Sequence, residues 1–325
     1  MSAQKAAPLS KEEMHNLHQL KSNIAKVVKG KEEAIHRVLT VLLAGGHLLI
    51  EDVPGVGKTT LAQALANSLG CAFQRIQFTA DMLPSDLIGV SIFNQNTHEF
   101  EFKPGPLFTQ VVLADEINRT SPRTQSALLE AMNERQITVN RETHPLKQPF
   151  FVMATQNPLE SYGTYPLPDS QLDRFLMRIR IGYPDEKTEL EILKTRQRRH
   201  PVNDLEEVLS HEQLSRLQAA VDNVQFDDSL QEYLYALVKE TRTSALLSVG
   251  VSTRGALLFH RAVRAYALVQ ERDYVLPDDI KTLAIDCLAH RITPKHRGTG
   301  DWNPEGETST EQVIIEILSH LPVPL

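Results

Sequence analysis

A short apolar run, a glycine-rich turn and a lysine constrain this chain more than any other feature. The stretch "LLIEDVPGVGKTTLAQALANSLG", Leu48 to Gly70, reads as a buried strand, a loop and a helix opened by Thr59. That is the context in which a G-x-x-x-x-G-K-[ST] loop cradles phosphates. Backbone N–H groups around Gly55, Val56 and Gly57 can surround phosphate oxygens, helped by the positive end of the following helix. Lys58 would reach the β- and γ-phosphates of a nucleotide, and the Thr59 hydroxyl would ligate Mg²⁺. The candidate nucleotide-binding run is therefore Pro54, Gly55, Val56, Gly57, Lys58, Thr59 and Thr60. Asp52 stands where the first glycine of the pattern belongs. Because that position lies at the loop's entry, the departure does not abolish the cradle; the rival reading is a Gly-Pro turn with an exposed lysine.

A second signal follows one strand–helix unit later, in "VVLADEINR". A strand ending in Asp115 and Glu116 supplies what hydrolysis needs: Asp115 to hold Mg²⁺ through water, and Glu116 to polarise the attacking water as general base. The alternative is a solvated acidic turn. In "FFVMATQNP", Asn157 lies just past a strand edge, where its amide can orient the lytic water; Asn before Pro is also an ordinary turn former.

Short apolar runs alternate with helical patterns through the first half, as in a parallel sheet covered by helices. The candidate strands are 46–50, 73–78, 110–114, 150–154 and 177–182. After "GYPDEKTELEIL" the pattern becomes helical, and from Pro184 onward no strand is expected. In "TRGALLFHRAVRAYALVQER", Leu257, Leu258, Ala262, Ala265, Tyr266 and Val269 follow helical spacing. The boundary falls near Tyr183, giving an α/β unit over 1–183 and a helical unit over 184–325. The segment "TGDWNPEGETST" (299–310) reads as a polar loop.

The net charge of −7 argues against broad nucleic-acid binding, which wants a basic face. Cys71 and Cys287, far apart, read as buried apolar residues in a reducing compartment. The amino terminus has no apolar core for a secretory signal, and the longest apolar run is too short to span a bilayer. A cytoplasmic protein is the expectation.

Taken together, "LLIEDVPGVGKTTLA", "RIQFTADMLPSDLIG", "GPLFTQVVLADEINRTSPRTQSALLEAMNERQITV", "MATQNP", "LPDSQLDRF" and "STRGA" resemble the motifs of the MoxR branch of AAA+ ATPases, in order and across nearly the whole chain. The resemblance implies an α/β AAA+ P-loop core with a five-stranded parallel sheet, followed by an all-α lid. It makes Asn157 sensor 1, Arg174 in "LDRF" the arginine finger presented to a neighbouring subunit, and Arg254 in "STRGA" sensor 2, reaching from the lid to the γ-phosphate. Val27, Val28 and Gly30 in "VVKGKEEA" would line the adenine side. A helix 2 insert is expected at about 88–108 and a pre-sensor hairpin at about 133–148. Phe93, Phe100 and Phe102 are the insert's apolar candidates, either for the channel or for packing on their own domain. The arginines have plain alternatives: a surface residue beside Asp173, and a first-turn residue after a Ser252 cap. Arg119 and Arg123 follow the acidic pair without an assigned role.

The function implied by the resemblance is that of a ring-forming ATPase, hexameric by family pattern, using ATP and Mg²⁺ to remodel or mature protein clients such as those bearing a von Willebrand factor A domain. The rivals are a nucleic-acid motor of the related helicase clade, a magnesium-chelatase-like motor subunit, and a nucleotide-gated binding module that barely hydrolyses.

Overall fold

The computed structural model describes residues 10–158, 163–195, 201–295 and 309–324. In chain order the strands are β1 (Leu48–Glu51), β2 (Phe73–Gln77), β3 (Gly89–Asn94), β4 (Glu99–Pro104), β5 (Val111–Asp115), β6 (Gln136–Val139), β7 (Glu142–Pro145), β8 (Phe151–Gln156), β9 (Met177–Ile179), β10 (Leu247–Val249) and β11 (Thr293–Pro294). The helices are α1 (Lys11–Ala25), α2 (Glu32–Leu43), α3 (Lys58–Ser68), α4 (Pro84–Ile88), α5 (Pro122–Glu134), α6 (Asp169–Leu172), α7 (Glu186–Thr195), α8 (His211–Ala220), α9 (Asp228–Thr243), α10 (Thr253–Val269), α11 (Pro277–Leu288) and α12 (Thr310–His320).

The five apolar runs pair into one five-stranded parallel sheet in the order β2-β5-β8-β1-β9. The three inner strands, β5, β8 and β1, lack polar alternation because both faces are covered, whereas the edge strands β2 and β9 carry polar residues. Alternate residues nevertheless part company. Leu48, Ile50, Val111, Leu113, Phe151 and Met153 join one core cluster, while Leu49, Val112, Ala114, Val152 and Ala154 join the other. The first cluster runs on without a break into α1, α2 and the helices after Pro184, through residues such as Leu39, Phe259 and Leu283. Helix starts follow their caps: the Ser121 hydroxyl accepts the Thr124 N–H with Pro122 in the first turn, and the Ser252 hydroxyl accepts the Gly255 N–H.

One feature departs from the sequence expectation, and a second is left unspecified by it. Behind Pro184 there is a strand pair, β10 against β11, where only helices were expected. At three and two residues these strands are too short to show an alternating pattern. The insert at 88–108 carries a hairpin, β3 against β4, closed at its base by Gly89 and Gly105. A Cβ on either glycine would stand 2.3 Å from the opposing backbone. Its phenylalanines divide: Phe93 and Phe100 meet edge to face at the surface, Phe100 73% exposed, whereas Phe102 stacks on His144 of the β6–β7 hairpin. The 299–310 segment falls largely outside the described residues.

Among the described residues no helix is long and apolar enough to cross a membrane. Cys71 and Cys287 are both buried and unpaired with each other.

Candidate active site

The loop after β1, the acidic pair after β5 and Asn157 after β8 all lie at the carboxyl edge of the sheet, because β5, β8 and β1 are parallel neighbours. Open α/β sheets bind ligands at that edge. A cleft of about 290 Å³ opens there, lined by Pro54, Gly55, Gly57, Lys58, Thr59, Thr60, Arg75, Gln77, Asp115, Glu116 and Asn157.

Gly55 and Gly57 have φ of +91° and +95°, the left-handed region that favours glycine. Gly57 caps α3 without any side-chain hydrogen bond, and the amino-terminal end of the helix opens onto the cleft through Lys58, Thr59 and Thr60. The Lys58 ammonium donates to the carbonyls of Asp52 at 2.8 Å and Val53 at 3.3 Å. Burial pulls its pKa down, against the opposing charges of Asp115, Asp52 and Glu116.

The acidic pair is held from several sides. Asp115 accepts the Thr155 hydroxyl at 2.6 Å and pairs with the Arg75 guanidinium at 2.6 Å. The same Thr155 hydroxyl accepts the Glu116 N–H at 2.9 Å, tying both residues to β8. The Glu116 carboxylate takes the Gln77 amide at 2.7 Å and faces Arg119 at 3.0 Å. Glu116 itself is left-handed, φ 58° and ψ 51°, which costs a non-glycine residue about 1–2 kcal/mol. Asn157 is buried at the cleft wall.

Asp52 has a definite structural task. Its carboxylate accepts the N–H groups of Ile181 at 2.7 Å and Gly182 at 2.6 Å, and of Val53 at 2.9 Å. The loop's entry is thereby fastened to the chain leaving β9. The chain after β9 also runs beside the start of α2: the Ile181 carbonyl accepts the Lys31 ammonium at 3.0 Å, and Thr188 lies against Gly30. Val28 is buried in the large core cluster, and Val27, Val28 and Gly30 do not line the phosphate-loop cleft.

The two remaining arginines are elsewhere. Arg174 sits in a second cavity, of about 430 Å³, lined by Ser126, Leu129, Glu130, Asn133 and Glu134 of α5 together with Gln171. Its guanidinium donates to the Leu129 carbonyl at 3.1 Å. Arg254 donates to the Asn133 amide oxygen at 3.0 Å. Within one chain Arg254 does not line the phosphate-loop cleft. Arg119 meets Glu116, while Arg123 has no place at the cleft lining.

Sequence reasoning missed Arg75, Gln77 and Thr155. Arg75 and Gln77 are alternate residues on one face of β2, registered opposite Leu113 and Asp115. The alternation was readable, but the pairing of β2 with β5 was not.

A glycine-rich loop, a paired carboxylate and a polar residue at adjacent strand ends of a five-stranded parallel sheet define a P-loop ATPase of the AAA+ class. Residues 47–177 match the ATPase family associated with various cellular activities (AAA), and residues 239–316 match the AAA lid domain. The chain is 50% identical over 305 residues to the uncharacterized protein YeaC of Bacillus subtilis, covering 93% of each. It is 38% identical to the chaperone MoxR1 of Mycobacterium tuberculosis, covering 96% of this chain and 83% of that protein. A crystal structure of a protein classed as an ATPase, from Cytophaga hutchinsonii, superposes with a TM-score of 0.86 at 39% identity, covering 97% of this chain and 96% of that one. The chain belongs to the MoxR family of AAA+ ATPases.

Proposed function

We propose that this chain hydrolyses ATP in a head-to-tail ring, hexameric by family pattern, and spends that energy remodelling protein clients in the cytoplasm, among them proteins with a von Willebrand factor A domain. One observation carries the shared-site part of this reading. The cleft holding Lys58 and Glu116 and the cavity holding Arg174 have no lining residue in common. On this reading each chain carries the two halves of a site in different places, and a neighbouring subunit brings its Arg174 to the cleft. The likeness to a chaperone supports the client reading. The reading places a core over 1–183 and a lid over 184–325, and the two matched segments, 47–177 and 239–316, fall one within each.

In this mechanism the backbone of Pro54 to Gly57 and the first turn of α3 hold the triphosphate, with Thr60 at the same cleft wall. Lys58 leaves its two loop carbonyls to bind the β- and γ-phosphate oxygens. Val27, Val28 and Gly30 flank the base through backbone groups. Thr59 and Asp115 offer oxygen donors suited to Mg²⁺, which when bound neutralises charge between the phosphates. Glu116 takes the proton of the attacking water, Asn157 orients that water, and Arg174 with Arg254 of the next subunit steadies charge on the γ-phosphate.

The test mixes two inactive variants. Glu116→Gln should bind ATP but lose turnover by about 10²–10⁴, and Arg174→Ala should lose about 10³–10⁵. In mixed assemblies some interfaces pair an intact Glu116 with an intact neighbouring Arg174, so activity returns in part. No recovery in demonstrated mixed assemblies would remove the shared-site reading.

A further inference from the structure

Arg291 lies far from the phosphate loop in sequence and does not line its cleft, yet among the described residues it is one of the most heavily bonded side chains. It follows α11 in a short helical turn and is buried, its side chain 1% exposed. Its Nε donates to the Asp173 carboxylate at 2.8 Å. Its Nη2 donates to the carbonyl of Phe175 at 2.6 Å and to that of Asp173 at 3.3 Å, and its Nη1 to that of Leu176 at 3.1 Å. A further bond, from Nη1 to the Cys287 carbonyl, anchors the side chain to its own helix. Three carbonyls and one carboxylate within residues 173–176 are therefore fixed by one guanidinium. Arg174 is the residue inside that bracket.

The same side chain meets the second arginine. A Cβ on Gly255 would lie 2.8 Å from Arg291 Cδ, so the glycine next to Arg254 leaves room for Arg291 to pass. Arg174 and Arg254 then rest on Leu129 and Asn133, one turn apart on α5 and so neighbours on its surface. Beside them, the Thr293 hydroxyl donates to Asp169 at 2.8 Å, a second tie between the two segments.

Burying a guanidinium this deeply is costly unless its donors are satisfied. An apolar residue could fill the same space. A planar fork, by contrast, fixes several oxygens at defined angles. We propose that Arg291 is a positioning residue that sets Arg174 and Arg254 in register, so that the pair acts as one receptor for the γ-phosphate of a nucleoside triphosphate held by the neighbouring subunit. This rests on the shared-site reading above. Because Arg291 follows α11, movement of that helical region would carry Arg174 with it.

The experiment uses the full chain and sorts variants by which partner restores them. Arg291→Lys keeps a charge but loses the fork; Gly255→Ala changes none of the three arginines but its added Cβ displaces the Arg291 side chain. Both should bind a fluorescent ATP analogue as the parent does and fold with parental circular dichroism. Turnover should drop about 10²-fold, the scale of a group misplaced by about an ångström. Mixed with Glu116→Gln, each should recover activity, because the Glu116→Gln subunit supplies an intact arginine pair. Mixed with Arg174→Ala, neither should recover, since no interface then has a working pair. Parental turnover in both variants, loss of own-site nucleotide affinity, or failure to complement Glu116→Gln where Arg174→Ala succeeds would each overturn the positioning role. Failure of Glu116→Gln and Arg174→Ala to complement one another would overturn the shared-site reading itself, and this proposal with it.

Discussion

Asp52→Gly would bring the loop into line with the phosphate-loop pattern, and it should weaken the protein. The Asp52 carboxylate accepts three backbone N–H groups, at 2.7, 2.6 and 2.9 Å. Ile181 is only 9% exposed, so its N–H has little water to turn to, while Gly182 and Val53 are partly open. An orphaned buried donor costs about 1–3 kcal/mol. Counting Ile181 in full and Gly182 by half, and adding about 0.5–1 kcal/mol for the freedom of glycine in the unfolded chain, gives a loss of about 2–5 kcal/mol. A chain of 325 residues has an unfolding entropy of roughly 0.7 kcal/mol/K, so Tm should fall by about 3–7 °C. Asp52→Asn keeps one oxygen for Ile181 and Gly182 but turns its amide toward the Val53 N–H, and should lose about half as much. Thermal melts followed by circular dichroism, with and without ATP and Mg²⁺, give the readout. The shift produced by ATP should survive in both variants, because Lys58, Thr59 and the loop N–H groups are untouched. An Asp52→Gly protein melting within about 1 °C of the parent would refute this account of the residue.

Two further outcomes are expected. Lys58→Ala should abolish most of the thermal stabilisation by ATP–Mg²⁺, since the triphosphate loses its principal cation; stabilisation equal to the parent's would place the nucleotide elsewhere. His47 is buried with its Nε2 donating to the Met132 carbonyl and its Nδ1 accepting the Val152 N–H, and burial pulls its pKa down from 6.5 to about 4. The unfolded chain binds the proton first, so this contribution is complete above pH 6.5 and drains away toward pH 4. At pH 5 the loss is about 2 kcal/mol. Urea midpoints at pH 7 and pH 5 should therefore diverge less in His47→Asn than in the parent, and an equal divergence would count against the assignment.

The sequence exposes what is local and hides what depends on strand order. The phosphate loop, the Asp115–Glu116 pair and Asn157 were legible because each follows an apolar run directly. The five sheet strands were legible for the same reason, with edges displaced by a residue or more. Arg75 and Gln77 were not, because their meaning depends on β2 lying beside β5 rather than beside β1. Asp52 looked like a defect in a pattern until Ile181 and Gly182 supplied its partners across 129 and 130 residues of chain. Arg254 could be recognised as a motif residue, yet its approach to Asn133 rests on how the helices pack over α5, which no periodicity encodes.

The left-handed backbone at Glu116 has a geometric consequence. In a regular strand, successive side chains leave on opposite faces, so an Asp-Glu dipeptide at a strand end would send one carboxylate into the cleft and the other away from it. Here both line the same cleft. A single reversed residue, placed immediately after the last ladder position of β5, cancels the alternation and turns a sequence neighbour into a spatial one. The Thr155 hydroxyl, bonded to both residues, holds that reversal in place from the adjoining strand. The conformational strain is thus concentrated at the residue whose direction the site most depends on, and a register shift of β5 by one position would separate the two carboxylates without changing the sequence at all.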